Sequence, residues 1–350
     1  MGSTGGALLV PGLEIRAGQV LAGKYRVEEL LGTGSGGVVV TARQVHLREP
    51  VTLKILAAFN EAQDELLERR VDKARAAARL RGEHVARIKD IGLTEHGLPY
   101  VATERLEGTT LDAELEARGG RLPVAEAVRW VLEACEGVAE AHAIGLVHGD
   151  LKPHNLFLAR TREGGTVLKV LDFGMASPIE AADASASAWF GSPAYLAPEQ
   201  IREPHRVDAR ADVWALGVLL FELIAGTLPF TADTVSGVLV SVVFDAPPLL
   251  TDAPYDLARV VHRCLEKEPE ARPASVEELA EALAPFVENG ARLSERVRAA
   301  LASPPPVATG NAALDAGAAG SVPPVSVSVE PPESHAALPL VTRRSPRDEP

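Results

Sequence analysis

The stretch Val147-His148-Gly149-Asp150-Leu151-Lys152-Pro153-His154-Asn155 decides the fold of this chain. It follows a long helical pattern, Pro123–Ile144, and is therefore expected to form a loop after a helix. Within this loop stand a carboxylate on Asp150, an ammonium group on Lys152 and an amide on Asn155.

A second polar motif follows at short range. Leu171-Asp172-Phe173-Gly174 ends the apolar strand pattern Val167–Leu171, and Asp172 comes 17 residues after Asn155. Phosphoryl transfer requires a base at the accepting hydroxyl, a cation on the migrating phosphoryl group and oxygen ligands for metal ions. Each piece alone is compatible with an ordinary turn, whereas all of them in this order indicate phosphoryl transfer.

Upstream, the glycine-rich stretch Leu31–Val39 has the spacing G-x-G-x-x-G-x-V. Glycines let the backbone approach phosphate oxygens closely, with N–H groups directed at them. A dinucleotide-binding fold would need a helix straight after the glycines, but the β-branched run Val38–Thr41 follows here. About 20 residues after the loop, Lys54 stands in an apolar strand, where a cation could hold phosphates.

The chain changes character near Gly108. Before it, short alternating stretches separated by turn residues predict an antiparallel meander, interrupted by a charged helix over Asn60–Leu80. After it, helical patterns dominate, and Asp208–Gly226 is nearly apolar on all sides, which predicts a buried helix. The strand predictions are Tyr25–Leu31, Gly37–Gln44, Val51–Leu56, Ala86–Thr94 and Leu98–Leu106, and the further helix predictions are Pro254–Leu265 and Ser275–Val287.

Composition limits the function classes. The 350 residues are 46% apolar with a net charge of −13, so a nucleic-acid partner is not expected. The nearest approach to a membrane span, Val213–Ala225, is interrupted by Glu222, and we expect a cytoplasmic protein without such a span. Cys135 and Cys264 form neither a metal-binding spacing nor a disulfide framework.

Together these motifs resemble those of bacterial eukaryotic-like Ser/Thr protein kinases, over residues 24–288. The matching stretches are GTGSGG, VTLK, HGDLKPHN, DFG, GSPAYLAPE, DVWALG and CLEKEPEARP. The resemblance implies an α+β, bilobal protein kinase fold, with a small antiparallel β-rich N-lobe (24–107) and a larger helical C-lobe (108–288). Residues 1–23 are expected to be a flexible leader, and residues 289–350 an Ala/Pro/Ser-rich disordered tail.

The resemblance also implies roles for single residues. Asp150 would be the catalytic base, Lys152 would neutralise the transferred phosphoryl group, and Lys54 would bind the α- and β-phosphates. Asn155 and Asp172 would hold Mg²⁺. The set that binds the cofactor ATP would comprise Gly32, Thr33, Gly34, Ser35, Gly36, Gly37, Val39, Thr52, Lys54, Thr103, Glu104, Leu106 and Phe157.

Further residues would stabilise this machinery. By the resemblance, Glu199 pairs with Arg272 in the helical lobe, and Asp212 braces the catalytic loop. Lys152 and Ser192 stand where Ser/Thr kinases carry Lys and Ser or Thr.

Thr52 departs from the family pattern, which usually has Ala there, and two further departures matter more. An active kinase pairs its strand Lys with a helix Glu, but the expected position is Lys73, which would repel Lys54. Asp72, Glu68 and Glu65 are the candidate replacements.

Gly149 stands where most kinases carry an Arg that binds a phosphate on the activation loop. We therefore expect that phosphorylation of Ser185, Ser187 or Ser192 is not the usual on-switch, so that Ala at 185 and 187 leaves activity nearly unchanged.

The predicted function is transfer of the γ-phosphate of ATP to Ser or Thr of protein substrates in bacterial signalling, with autophosphorylation. A nucleotide-binding pseudokinase, acting as a scaffold or switch, is the alternative raised by Lys73. A small-molecule phosphotransferase is a second alternative, because such enzymes also carry an H-G-D-x-x-x-x-N loop. The tail could bind a regulatory partner, with Ser303, Ser326 and Ser328 as candidate phosphorylation sites.

Overall fold

The first strands of the chain lie in the predicted leader. The computed structural model describes residues 8–10, 13–34, 37–56, 64–173 and 193–305. Strands β1 (Leu8–Val10) and β2 (Leu13–Ile15) pair antiparallel, and β3 (Val20–Leu21) joins the main sheet. Because Ile15 and Leu21 are fully buried, the prediction of a loose leader over 1–23 is wrong for its described part.

The N-lobe is an antiparallel sheet of six strands in the order β3-β4-β5-β6-β8-β7. The meander is confirmed, and the strand bounds differ from the predictions by a few residues at most. The remaining strands of this sheet are β4 (Tyr25–Gly34), β5 (Gly37–Gln44), β6 (Pro50–Leu56), β7 (Ile88–Leu93) and β8 (Pro99–Glu104).

Gly37 is required by the packing of this sheet. A Cβ atom at this position would lie 2.0 Å from the carbonyl oxygen of Ile55, so another residue would force the strands apart. Helix α1 (Asp64–Ala77) packs its alanines, Ala74 and Ala77, toward the interior. It is shorter than the predicted helix over 60–80, whose first residues lie outside the described part of the chain.

The C-lobe is built on helices together with a small three-stranded sheet. That sheet has the order β11-β10-β9, with β9 (Gly108–Thr110), β10 (Leu156–Arg160) and β11 (Thr166–Val170). The helices are α2 (Leu111–Ala117), α3 (Val124–His142), α4 (Pro198–Arg202), α5 (Arg210–Ala225), α6 (Val235–Phe244), α7 (Tyr255–Cys264), α8 (Val276–Leu283) and α9 (Gly290–Ala302).

Helix α5 lies at the centre of this lobe, as its uniformly apolar sequence predicts. Trp214 on α5 stacks on Phe230, with ring centroids 5.5 Å apart. At the start of α8, the backbone N–H of Glu278 donates to Ser275 Oγ at 3.2 Å, so Ser275 caps this helix. The Glu278 carboxylate accepts from the backbone of Ala274, one residue before the position that a capping box uses.

Helix α9 corrects the assignment of residues 289–350 to a structureless tail. Its Val297 is fully buried and its Ser294 is buried, so this helix belongs to the core. Residues 306–350, including Ser326 and Ser328, lie outside the described part of the chain. Within the described residues, none of the helices combines the length and apolar character needed to cross a bilayer.

Candidate active site

A cleft of about 480 Å³ separates the N-lobe sheet from the catalytic-loop region of the C-lobe. Ten of the predicted site residues line it: Gly32, Val39, Thr52, Lys54, Thr103, Glu104, Leu106, Asn155, Phe157 and Asp172. Thr33, Gly34 and Gly37 lie at the β4–β5 hairpin, while Ser35 and Gly36 lie outside the described residues. The sequence thus located the cleft from segments that are far apart along the chain.

Strand pairing positions the walls of the cleft. Thr52 on β6 lies opposite Thr103 on β8, and Phe157 on β10 lies opposite Thr110 on β9. Further lining residues outside the predicted set are Glu29, Leu31, Thr41, Ala86, Val101, Arg105, Thr110, His154 and Leu171. Thr41 on β5 and Val101 on β8 stand two residues from the predicted Val39 and Thr103, so strand alternation could have identified these two.

Lys54 and Asp172 both line the cleft and contact each other. Lys54 is buried, and its Nζ donates to Asp172 Oδ2 at 2.7 Å. Asp172 has a φ of 57°, in the left-handed region that Asp tolerates better than most residues. Burial opposes ionisation of Asp172, but the charge and hydrogen bond of Lys54 outweigh it and hold the pKa of that carboxyl below its ordinary value.

The catalytic loop brings its three predicted residues together. Lys152 Nζ donates to both carboxylate oxygens of Asp150, at 2.9 and 2.8 Å. The side-chain amide of Asn155 donates to the Asp150 carbonyl at 2.7 Å and to its Oδ2 at 3.0 Å. Because the NH₂ group of Asn155 is engaged in this way, its amide oxygen is left as an acceptor for a cation.

Asp212, predicted as the brace of this loop, is completely buried beneath it. Its carboxylate accepts from the backbone N–H groups of His148 at 2.9 Å and Gly149 at 2.8 Å. His142 Nε2, which sequence reasoning missed, lies 2.8 Å from Asp212 Oδ2. Burial opposes ionisation of Asp212, but these partners, His142 first, hold its pKa below the ordinary value. At Gly149 the φ is 75°, so glycine suits the backbone here.

His148 ties the loop to the strand that carries Asp172. Its Nε2 lies 2.8 Å from the carbonyl oxygen of Leu171, and its ring contacts Phe173 edge-on at 4.8 Å. The backbone N–H of Leu171 donates to the Asn155 carbonyl at 2.9 Å. These contacts fix the metal-binding candidates relative to one another.

Helix α1 presents a cation where the family pattern has an acid. The side chain of Lys73 is exposed as a whole. Partial burial of its charged end lowers its pKa, and the negative charge of Asp212 opposes this shift. Of the candidate replacements, Asp72 pairs with Arg75 at 2.8 Å, and Glu68 is exposed. The side chain of Glu65 lies outside the described residues. Among the described side chains, Asp172 is therefore the carboxylate that pairs with Lys54.

The activation segment lies between the two described parts of the C-lobe. Ser185, Ser187, Ser192 and Gly174 fall in residues 174–192, outside the described part of the chain. After it, the predicted pair of Glu199 and Arg272 is present, with both guanidinium-to-carboxylate distances at 2.7 Å.

Comparisons with known proteins agree with this geometry. The family model of the protein kinase domain matches residues 25–283. The serine/threonine-protein kinases pkn3 and Pkn1 of Myxococcus xanthus are each 34% identical, over 76% and 79% of this chain and 50% and 40% of their own. PknA of Mycobacterium tuberculosis is 31% identical, over 88% of this chain and 70% of its own.

Solved structures give the same result. The crystal structure of the Mycobacterium tuberculosis PknI kinase domain superimposes with a TM-score of 0.62 at 27% identity, covering 78% of this chain and 98% of that one. Its C20A_R136A double mutant gives a TM-score of 0.63. The chain spans half the length or less of the two Myxococcus kinases described above.

Proposed function

This chain belongs to the protein kinase family, in its bacterial Ser/Thr branch, and we propose that it transfers the γ-phosphate of ATP to Ser or Thr hydroxyls of proteins. One observation carries the proposal. Asp150, Lys152 and Asn155 are joined by hydrogen bonds of 2.7–3.0 Å, and Asn155 lines the same cleft as the Lys54–Asp172 pair. The cleft is large enough for a nucleotide.

The chain's own residues divide the work of this reaction. Asp150 accepts the hydrogen bond of the substrate hydroxyl and orients it toward the γ-phosphate. Lys152, already held against Asp150, places a positive charge where the migrating phosphoryl group gathers negative charge. Lys54 holds the α- and β-phosphates, and the β4–β5 hairpin covers them with backbone N–H groups. Groups that are held in position before the substrate binds need no further ordering during the reaction, and this raises the rate of transfer.

The donor set fits a divalent cation of the hard type. Asp172 supplies a carboxylate and Asn155 an amide oxygen, the ligands that Mg²⁺ accepts together with phosphate oxygens and water. Kinases of this family use ATP with a divalent cation, and we propose Mg²⁺ here. When bound, the cation neutralises charge on the β- and γ-phosphates.

Protein substrates follow from the family, and two alternatives lose ground. The pseudokinase alternative rests on Lys73, yet Lys54 has a carboxylate partner in Asp172, and the named relatives are serine/threonine-protein kinases. The match of the protein kinase model over residues 25–283 favours protein substrates over a small-molecule acceptor. We further propose autophosphorylation, a role in bacterial signalling, a cytoplasmic location where ATP is supplied, and a regulatory partner for the tail.

The test uses purified full chain, labelled ATP, Mg²⁺ and a generic basic protein. We expect label on Ser or Thr, and the Asp150→Ala variant should lose transfer by at least about 10³-fold while retaining nucleotide binding. A thermal shift with Mg²⁺-ATP measures binding in both proteins. Transfer that survives in the variant would contradict the assignment of Asp150, and binding without any transfer in the wild type would favour the pseudokinase.

A further inference from the structure

Helix α9 lies beyond residues 25–283, which the kinase family model matches. It nevertheless packs on α3 and α8, with Val297 fully buried and Leu293, Ala300 and Leu301 lying against the main core. At its N-terminus, a Cβ atom on Gly290 would lie 2.1 Å from the Ala284 carbonyl oxygen, so glycine permits the close turn from α8. This helix is therefore built into the C-lobe.

Arg296 extends from α9 to the segment that joins α1 to β7. Its Nη2 donates to Glu83 Oε2 at 2.9 Å and lies 3.3 Å from His84 Nε2. The same guanidinium pairs with the carboxylate of Glu136 on α3, where Nη2 lies 2.9 Å from Oε1 and Nε lies 2.8 Å from Oε2. One side chain thus joins three elements, and its hydrogen bond holds the pKa of Glu83 below the ordinary value.

The segment that Arg296 contacts is itself paired with β11. The N–H of Ala86 donates to the Val170 carbonyl, and the N–H of Val170 donates to the His84 carbonyl, both at 2.9 Å. His84 is buried, and its Nδ1 lies 2.8 Å from the Leu168 carbonyl oxygen. Since β11 leads directly to Asp172, a shift of residues 83–86 would shift the end of the strand that carries this aspartate.

Close packing leaves little room for such a shift in the native state. A Cβ atom on Gly137 of α3 would lie 2.5 Å from the His84 carbonyl oxygen. Glu140 of the same helix accepts from the N–H groups of Arg81 at 2.6 Å and Gly82 at 2.8 Å. The segment is therefore held from α3 on one side and from α9 through Arg296 on the other.

We propose that α9 is a working part of the catalytic unit and that Arg296 is a positioning residue, which holds residues 83–86 against β11 and so sets the place of Asp172. This inference rests on the proposed kinase function, because it concerns the same nucleotide site. It assigns a role in nucleotide binding to a helix outside the family match. Arg suits this role because its planar fork engages several partners at once, which Lys cannot reproduce.

The chain offers a matched control in Arg298. This residue lies on the same helix, but its guanidinium contacts Glu277 and Glu281 of α8, within the C-lobe. If α9 acted only as general packing, Arg296→Ala and Arg298→Ala would behave alike. If Arg296 positions the segment, the two variants should differ in their effect on the nucleotide site.

The experiment measures amide hydrogen exchange and Mg²⁺-ATP affinity by calorimetry in the full chain. We expect Arg296→Ala to speed exchange at Ala86 and Val170 and to weaken ATP binding, each about tenfold. Arg298→Ala should stay within about twofold, as surface ion pairs contribute little, and Arg296→Lys should lie between. Equal behaviour of the two Ala variants, or faster exchange spread over the whole chain, would overturn the proposal.

Neither readout requires phosphoryl transfer. A wild-type chain that transfers nothing would therefore refute the proposed activity, while the exchange and affinity data would still decide the role of Arg296.

Discussion

Two ion pairs of equal length serve opposite purposes in this molecule. Arg272–Glu199 and Lys54–Asp172 both have contacts of 2.7 Å. The first is closed to solvent, with side-chain exposures of 0% and 9%, whereas Asp172 in the second is 32% exposed toward the cleft. Burial thus separates a pair that joins elements from a pair that can receive a ligand.

Hydrogen-bond capacity separates them further. Besides Glu199, the Arg272 guanidinium donates to the carbonyl oxygens of Glu266, Arg210 and Lys267, so that all five N–H groups have acceptors. Lys54 has three N–H groups, and among the described residues Asp172 accepts from it. A saturated pair fixes structure, and an unsaturated pair leaves donors for phosphate oxygens.

The largest expected effect comes from breaking the saturated pair. Arg272→Met should lower the free energy of unfolding by about 3–5 kcal/mol, because Glu199 is left as a buried charge without its partner. Denaturant unfolding measures the change. Arg210→Met, which removes the half-exposed pair with Asp208, is the control and should cost less than about 1 kcal/mol. A loss for Arg272→Met as small as the control's would contradict the structural role.

Breaking the unsaturated pair, Lys54–Asp172, should lower activity and leave the stability of the fold nearly unchanged. Lys54→Met should reduce phosphoryl transfer by about 10²–10³-fold, because the cation at the α- and β-phosphates is lost. Its free energy of unfolding should change by less than about 1 kcal/mol, since Asp172 remains in contact with solvent. Initial rates and denaturant curves on the same protein compare the two effects. If Lys54→Met lowered the free energy of unfolding as strongly as Arg272→Met does, along with the rate, the proposed difference between the two pairs would be wrong.

The smallest effect tests whether Lys54 gains from a second carboxylate. Lys73→Glu places an acid at the position where the family pattern has one, and should raise kcat/KM for ATP by about two- to fivefold, the worth of a partly exposed ion pair. Lys73→Gln removes the repelling charge without adding a partner, so it isolates the contribution of pairing. A Glu variant that matches the Gln variant would show that Asp172 alone suffices for Lys54.

The sequence predicted which segments meet at the cleft better than it predicted the ends of the domain. Asp150, Asn155 and Asp172 stand in motifs whose spacing is recognisable without a structure, and they meet as that spacing implies. The predictions are wrong for the described part of the leader, which holds the buried Ile15 and Leu21, and for residues 290–302, where a composition rich in small residues concealed apolar positions. In α9 the helical spacing of Leu293, Val297 and Leu301 was the available signal.

Other features could not be read from local patterns. His142 ends α3 in sequence, and its contact with Asp212 exists because α3 and α5 cross beneath the catalytic loop. The link from Arg296 to Glu83 spans more than two hundred residues and has no motif. Long-range pairs of this kind depend on how helices and strands pack, and a sequence window does not contain that information.

By itself, the amino-acid sequence determined the family, the order of the lobes and the residues proposed to handle phosphate, because transfer chemistry demands fixed groups at fixed spacing. The tertiary structure decided which charges meet: Lys54 with Asp172, Arg272 with Glu199, and Arg296 with the segment before β7. The physical reason is that an ion pair depends on distance and burial, and both are set when the whole chain has packed.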